Sequence, residues 1–319
     1  MLAISALKSS LLTILTVVVG CALRGDIVLI FLLLTQSIKT DFEPNRVIDN
    51  GSSPQQSDAI KGASDLPLDV LFFVTTSIVS SQGILIVVSA YFHYCYYVAR
   101  RSEAHEWKCQ PRRFLTPENA KHEIGVGITN MTLLGVVSGL TATYVYRGGQ
   151  TTLYFDFSHR SLLYLVLSTV AFFFYVEAIS YYTHRLWHTP YLYKRFHKHH
   201  HRYHSPTAFA SVAMTKLEIL LYQSYLILPL FGWFEIYAGA YVVVLLYIYY
   251  FGLVDHSGVK MESWFPWQPP STFHDNHHEF FHCNFGFNTY FFDKLHNTLR
   301  QEHRRYGEDV FGGHGKPEK

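Results

Sequence analysis

Residues 162–188 read LLYLVLSTVAFFFYVEAISYYTHRLWH. From Leu162 to Tyr182 the only charged side chain is Glu177, and the run is long enough as a helix to cross the roughly 20-residue apolar core of a bilayer. It then ends on His184 and His188, four residues apart and therefore on one helix face, with Pro190 placed to stop the helix. A segment of this kind predicts a membrane helix that emerges carrying paired imidazoles. Four further apolar blocks flank it: Leu11–Leu34, Leu68–Ala99, Ile124–Tyr146 and Leu217–Leu253. The last is interrupted midway by Pro229, Gly232 and Trp233, so it reads as a helical hairpin with arms of about 16 to 18 residues that enter and return on one side. The fold predicted is all-α: a polytopic membrane helical bundle of about four spanning helices plus a re-entrant hairpin, with a cytoplasmic histidine-rich metal cap.

The loops set the orientation. Between Ala99 and Glu123 lie Arg100, Arg101, Lys108, Arg112, Arg113 and Lys121, a density of positive charge that marks a cytoplasmic loop. Alternation then makes loop 37–67 lumenal, with Asn50-Gly51-Ser52 as a glycosylation acceptor, and returns Arg147–Arg160 to the lumen. Met1–Gly25 has a lysine before an apolar run, as a signal peptide does, but no small-residue cleavage site follows it. Residues 1–160 are thus read as an N-terminal transmembrane region, 161–305 as a second domain that holds most of the histidines and 306–319, with four glycines, as a flexible tail. The four cysteines are scattered, which argues against a disulfide framework. A net charge of +2 without a basic, aromatic-interleaved stripe argues against nucleic acid as a partner.

Of 19 histidines, 12 fall between His184 and His282. His197, His200 and His201 are spaced i, i+3, i+4, and His274, His277 and His278 repeat that spacing, so each set occupies one helix face. His199 lies about 200° around the wheel from His197 and falls outside the set. His204 and His282 are left open. Eight histidines in three sets exceed what one four- to six-coordinate ion can use, so at least two ions are implied. Imidazole suits iron, zinc and copper alike, and the ligand type does not choose among them.

The pattern His184-x3-His188, His197-x2-His200-His201 and His274-x2-His277-His278, behind membrane helices, resembles the fatty acid hydroxylase and sterol desaturase superfamily over roughly Leu162–Arg300. The strings Asp255-His-Ser-Gly258, His274-Asp-Asn-His-His278, Cys283-Asn-Phe285 and Phe292-Asp-Lys294 look like its cholesterol 25-hydroxylase and C4-methylsterol oxidase branches. The resemblance implies an endoplasmic-reticulum enzyme with a dinuclear iron centre, two iron ions for which zinc can substitute in a purified sample. It adds His256 to the eight spaced histidines, giving His184, His188, His197, His200, His201, His256, His274, His277 and His278 as ligands. Asp255 becomes a candidate to orient an imidazole. Lys260 stands where some relatives carry a further histidine.

The implied activity is hydroxylation of a lipid, a sterol at a C4-methyl or side-chain carbon, using O2 and electrons from cytochrome b5 or a similar donor with its NAD(P)H reductase. An unactivated C–H bond requires such redox chemistry, because side-chain acids and bases cannot attack it. Fatty-acyl hydroxylation and sterol desaturation are the alternatives on the same scaffold. A metal-ion transporter would place its histidines and carboxylates at mid-membrane, whereas these cluster at helix ends and in the segments beyond them. Glu177 stands alone, so no bridging carboxylate is assigned. The aromatic runs Phe172–Tyr175 and Tyr247–Phe251 fit helix packing and an interfacial belt better than a substrate path.

Overall fold

A computed structural model describes residues 66–232 and 234–318. The first apolar block, Asn50, Cys21 and nearly all of loop 37–67 lie outside the described residues. Among the described residues, four helices are long and apolar enough to cross a membrane: Leu66–Val98, Pro117–Tyr146, Leu162–Trp187 and Ala238–His256. The helices in chain order are α1 (Leu66–Phe92, continued by a π-helical turn to Val98), α2 (Ala104–Trp107), α3 (Pro117–Tyr146), α4 (Leu162–Trp187), α5 (Pro190–Arg195), α6 (Lys216–Ile227), α7 (Ala238–His256), α8 (Ser271–Phe280) and α9 (Phe291–Leu295). The chain is an all-α polytopic membrane fold.

Local chemistry explains the helix starts. Thr116 accepts from the Asn119 amide with Pro117 at the first helical position, and Ser161 accepts from the Tyr164 amide, so both long helices begin on capped ends. α1 and α3 pack antiparallel along small residues. A Cβ at Gly135 would sit 2.7 Å from Ile78 Cα, and one at Gly139 would sit 2.8 Å from the Phe73 carbonyl, so only glycine allows the backbones this close. Asp69 at the start of α1 pairs with Arg147 just after α3, at 2.6 Å. Outward-facing Leu68, Leu71, Leu162 and Leu163 are exposed, as lipid-facing side chains are when no bilayer is present.

The expected hairpin is present but its arms are unequal. The first is the 12-residue α6 followed by a 3₁₀ turn, Leu228–Phe231, and the second is the 19-residue α7. Pro229 sits within the 3₁₀ turn, where it replaces the α-helical hydrogen-bond pattern and shortens the first arm. At that end Thr152 donates its amide to the Leu230 carbonyl, and strand β1 (Leu153–Tyr154) pairs in parallel with β2 (Ile236–Tyr237). The starts of α4 and α7 are thereby tied together, and both helices run to the opposite end and finish on histidine-bearing turns. Gly258 ends α7 with φ +70°, and a Cβ there would approach the Pro206 carbonyl to 2.9 Å.

The basic loop lies at this histidine-bearing end and packs into it. Lys108 is fully buried and donates to Ser205 Oγ at 2.6 Å, while Gln110 donates to the His204 carbonyl and to Asp275. From α3, Glu123 accepts the Thr207 amide and hydroxyl, and Asn130 donates to the Val212 and Met214 carbonyls. The segment after His201 is therefore clamped by the membrane helices. The glycine-rich C-terminal residues, expected as a loose tail, fold back instead: β3 (Arg304–Arg305) pairs with β4 (Lys316–Pro317), and Gly312, Gly313 and Gly315 supply the left-handed turns. Cys95, Cys109 and Cys283 are free thiols.

Candidate metal centre

The structure gathers all nine sequence-predicted histidines into two adjoining buried groups. His184, His188, His197, His201 and His277 form one; His200, His256, His274 and His278 form the other. Within each group the offered nitrogens lie within 4.8 Å of one another. Two nitrogens each about 2.1 Å from one metal ion are separated by roughly 3 to 4.2 Å, so each group needs only a small contraction to close on an ion. Consecutive histidines go to different groups. His200 and His201 part company, as do His277 and His278, because neighbours on a helical turn diverge by about 100°. The tandem histidines of the second and third sets, His200-His201 and His277-His278, thus join two sites into one centre.

The hydrogen bonds fix which nitrogen faces inward. A carbonyl can only accept, so His184 Nδ1 donates to Phe285, His277 Nδ1 to Cys283, His256 Nδ1 to Gly252 and His200 Nδ1 to Ala213, at 2.8, 2.7, 2.7 and 3.3 Å. His197 Nδ1 donates to Glu218 Oε1 at 2.6 Å. His282 Nε2 donates to the Glu308 carbonyl, which leaves its Nδ1 to accept from His188 Nδ1 at 2.9 Å. In the six imidazoles that donate from Nδ1 (His184, His188, His197, His200, His256 and His277) Nε2 is left as a bare lone pair. His200 Nε2 and His256 Nε2 then face each other at 3.3 Å as two acceptors, an arrangement that is repulsive unless a cation lies between them. The Nε2 atoms of His197 and His277, and both nitrogens of His278, have no hydrogen-bond partner. Unpaired groups this deeply buried each cost about 1–3 kcal/mol, and a bound metal ion would satisfy one nitrogen of each ring. Burial also holds the rings neutral, the form that ligates: His197 and His200 are pushed down to about 3, and His188, His201, His274, His277 and His278 lie well below the usual histidine range.

Comparison with known proteins bears on the same segment. Residues 169–298 match the family model described as fatty acid hydroxylase, which takes in every histidine of both groups. Over these 130 of its 319 residues the chain is similar to the fatty acid hydroxylase family. Its curated relatives include a Delta(7)-sterol 5(6)-desaturase of Schizosaccharomyces pombe, 30% identical over 48% of this chain and 50% of that protein. A lathosterol oxidase of Mus musculus is 32% identical over 43% of this chain and 47% of its own length. A very-long-chain aldehyde decarbonylase of Oryza sativa subsp. indica is 28% identical over 39% and 22%. The chain spans about half the length of the first two relatives. No solved structure gives a significant match.

Two further residues act on the centre: Glu218, which the sequence reading did not single out, and His282, which it left open. Glu218 forms a capping box with Thr215, its Oε2 taking the Thr215 amide and hydroxyl while Oε1 holds His197. Burial raises the Glu218 carboxyl from its usual range, and the Thr215 donors oppose that rise. The Thr215-x-x-Glu218 spacing was the available signal for the cap, although not for the contact with a histidine 21 residues earlier. His282, left open by spacing, is fully buried behind His188 rather than in either group. His204 and His199 are exposed, as the helical wheel required for His199. Asp255 is buried but hydrogen-bonds no imidazole, a role Glu218 fills for His197. Glu177 accepts from Asn288 Nδ2 at 2.6 Å and belongs to neither group, and exposed Lys260 donates to the His105 carbonyl.

Histidines of both groups line one end of a pocket in the helix bundle. His184 and His197 of the first group and His200 and His256 of the second line it, while Leu134, Val176, Ile219 and Leu226 give it apolar walls. Of the aromatic runs, Tyr249 lines this space; Phe172 and Tyr181 are packed in the core, and Phe174 and Tyr182 face outward.

Proposed function

We propose that this protein is an oxygen-dependent oxidoreductase of the membrane that oxidises an unactivated C–H bond of a lipid. The observation that carries the reading is the apolar cavity within the helix bundle, bounded at one end by imidazoles of both groups. The nine histidines would hold two iron ions, five imidazoles on one and four on the other. Iron bound there supplies the redox chemistry that activates O2 for attack on an unactivated carbon. Glu218 and His282 fix the tautomers of His197 and His188, and the carbonyls of Ala213, Gly252, Cys283 and Phe285 do the same for four more rings. The aliphatic walls exclude water and align an apolar substrate under the rings.

The substrate class that fits best is a sterol. The relatives' names, a sterol desaturase and a lathosterol oxidase, support that class. The resemblance to sterol-hydroxylating branches favours hydroxylation, R–H + O2 + 2e⁻ + 2H⁺ giving R–OH and H2O. The desaturase relatives favour a second outcome, in which the same inputs remove two hydrogens and yield an alkene and two waters. Either outcome consumes two electrons, for which cytochrome b5 or a similar carrier with its NAD(P)H reductase is the proposed source. An endoplasmic-reticulum membrane with the histidine end facing the cytoplasm suits that donor, and the basic loop lies at the same end. Residues 161–305 are the proposed catalytic unit and 1–160 the membrane region before it. Mass spectrometry of sterols from cells with and without the gene, under 18O2, tests the function. An oxidised sterol that appears only with the gene is expected, with 18O for hydroxylation and without it for desaturation. An unchanged sterol profile would contradict the sterol assignment.

A further inference from the structure

The cavity under the histidines does not stop at its apolar walls. A second pocket adjoins it, and Leu134, Gln223, Leu226 and Tyr249 line both. The second extends to Tyr241, which precedes His256 by fifteen residues of one continuous helix, about 22 Å of rise. Together they form an elongated space running from the metal groups toward the opposite end of the bundle. Its shape suits a long lipid entering end-on.

At the junction stands a polar constriction. Gln223, 6% exposed, donates from Nε2 to Ser138 Oγ at 3.1 Å and accepts at Oε1 from the Tyr249 hydroxyl at 3.0 Å. Three helices, α3, α6 and α7, each contribute one of these side chains. An amide carries two N–H donors and two carbonyl lone pairs, so these bonds leave one of each on Gln223 for a ligand. Gln223 lies five residues past Glu218 and Tyr249 seven residues before His256, which puts the constriction about 8 to 10 Å below the imidazoles.

We propose that Gln223, held in place by Ser138 and Tyr249, recognises a hydroxyl group on an elongated lipid, fixing which carbon lies beneath the histidines. A polar group buried in an apolar channel favours a ligand that can complete its hydrogen bonds over one that leaves them unmade. The proposal rests on the lipid-oxidase reading of the cavity and adds its point of specificity. Gln223 is a positioning residue, far enough from the imidazoles that its replacement leaves metal binding intact.

The test is equilibrium binding to the full-length protein purified in detergent, with two probe pairs: 5α-cholestan-3β-ol against 5α-cholestane, and 1-hexadecanol against hexadecane. The protein is expected to bind the alcohol of at least one pair about tenfold or more tightly than its hydrocarbon. Gln223→Leu, and independently Tyr249→Phe, which removes one oxygen, should cut that preference to about twofold or less with unchanged metal content. A preference confined to hexadecanol would keep this subsite and remove the sterol assignment. Equal binding within both pairs, no binding of any probe, or full preference retained by both variants would overturn the proposal.

Discussion

Glu218→Gln separates a metal centre from a mere collection of buried histidines. In the native protein one carboxylate oxygen takes the His197 Nδ1 proton at 2.6 Å and the other takes the Thr215 amide at 3.0 Å, with Glu218 fully buried. Glutamine keeps the shape but offers only one oxygen. If that oxygen stays on His197, the new NH2 faces the Thr215 amide, donor against donor, and the α6 cap is lost at about 1 kcal/mol. If the amide flips, it faces the His197 N–H instead and drives the ring to the tautomer whose proton points at the metal. A buried charge-assisted hydrogen bond is worth roughly 1.5–3 kcal/mol, and loss of such support for a ligating histidine lowers metal affinity about 10- to 100-fold. Metal retention against a graded series of chelator concentrations is the assay. The midpoint for one ion should fall by that factor while the other ion, held by the group without His197, is retained. An unchanged midpoint for both ions would refute the tautomer argument.

Other substitutions address the rest of the architecture. His201→Ala and His278→Ala each remove a ligand from a different group, so each should lower bound metal by about one ion per chain while the double variant loses both, as measured by elemental analysis. The metal-free protein should be acid-labile. His197 and His200 titrate near 6.5 when unfolded but near 3 when buried, so their contribution is complete above about pH 6.5 and is lost as pH falls below it. At pH 5 the loss is on the order of 2 kcal/mol for each, and a melting temperature equal at pH 5 and pH 7.5 would contradict it. Gly139→Val pushes a side chain into the Phe73 carbonyl and the Val74 backbone, so the α1–α3 pair should separate and the detergent-solubilised protein should lose thermal stability or fail to accumulate monodisperse.

The three histidine sets were legible from their repeated spacing, and the first of them ends an apolar run long enough to span a membrane, although His197–His201 form a 3₁₀ segment and turn rather than the helix expected. The hairpin was legible in Pro229 and Gly232, although the early 3₁₀ turn shortened its first arm below what hydropathy suggested. The division of the tandem histidines between two groups was not legible. It depends on how the turn at His197–His201 is set against α4, α7 and α8, a tertiary relation fixed by Glu123, Asn130 and Lys108 from distant segments. Glu218 was missed and His282 left open for the same reason, since each meets its histidine across the fold. Helix spacing constrains a residue's face but not what that face meets. The glycines of the last segment suggested looseness, yet three of them serve turns that a side chain would strain.

The most direct test of the account is metal analysis of the full-length protein purified anaerobically in detergent. About two iron ions per chain are expected, both lost when His200 and His201 are replaced together by alanine. Fewer than about one and a half ions per chain after iron loading, or a full complement in that double variant, would contradict the two-site centre on which the proposed function stands.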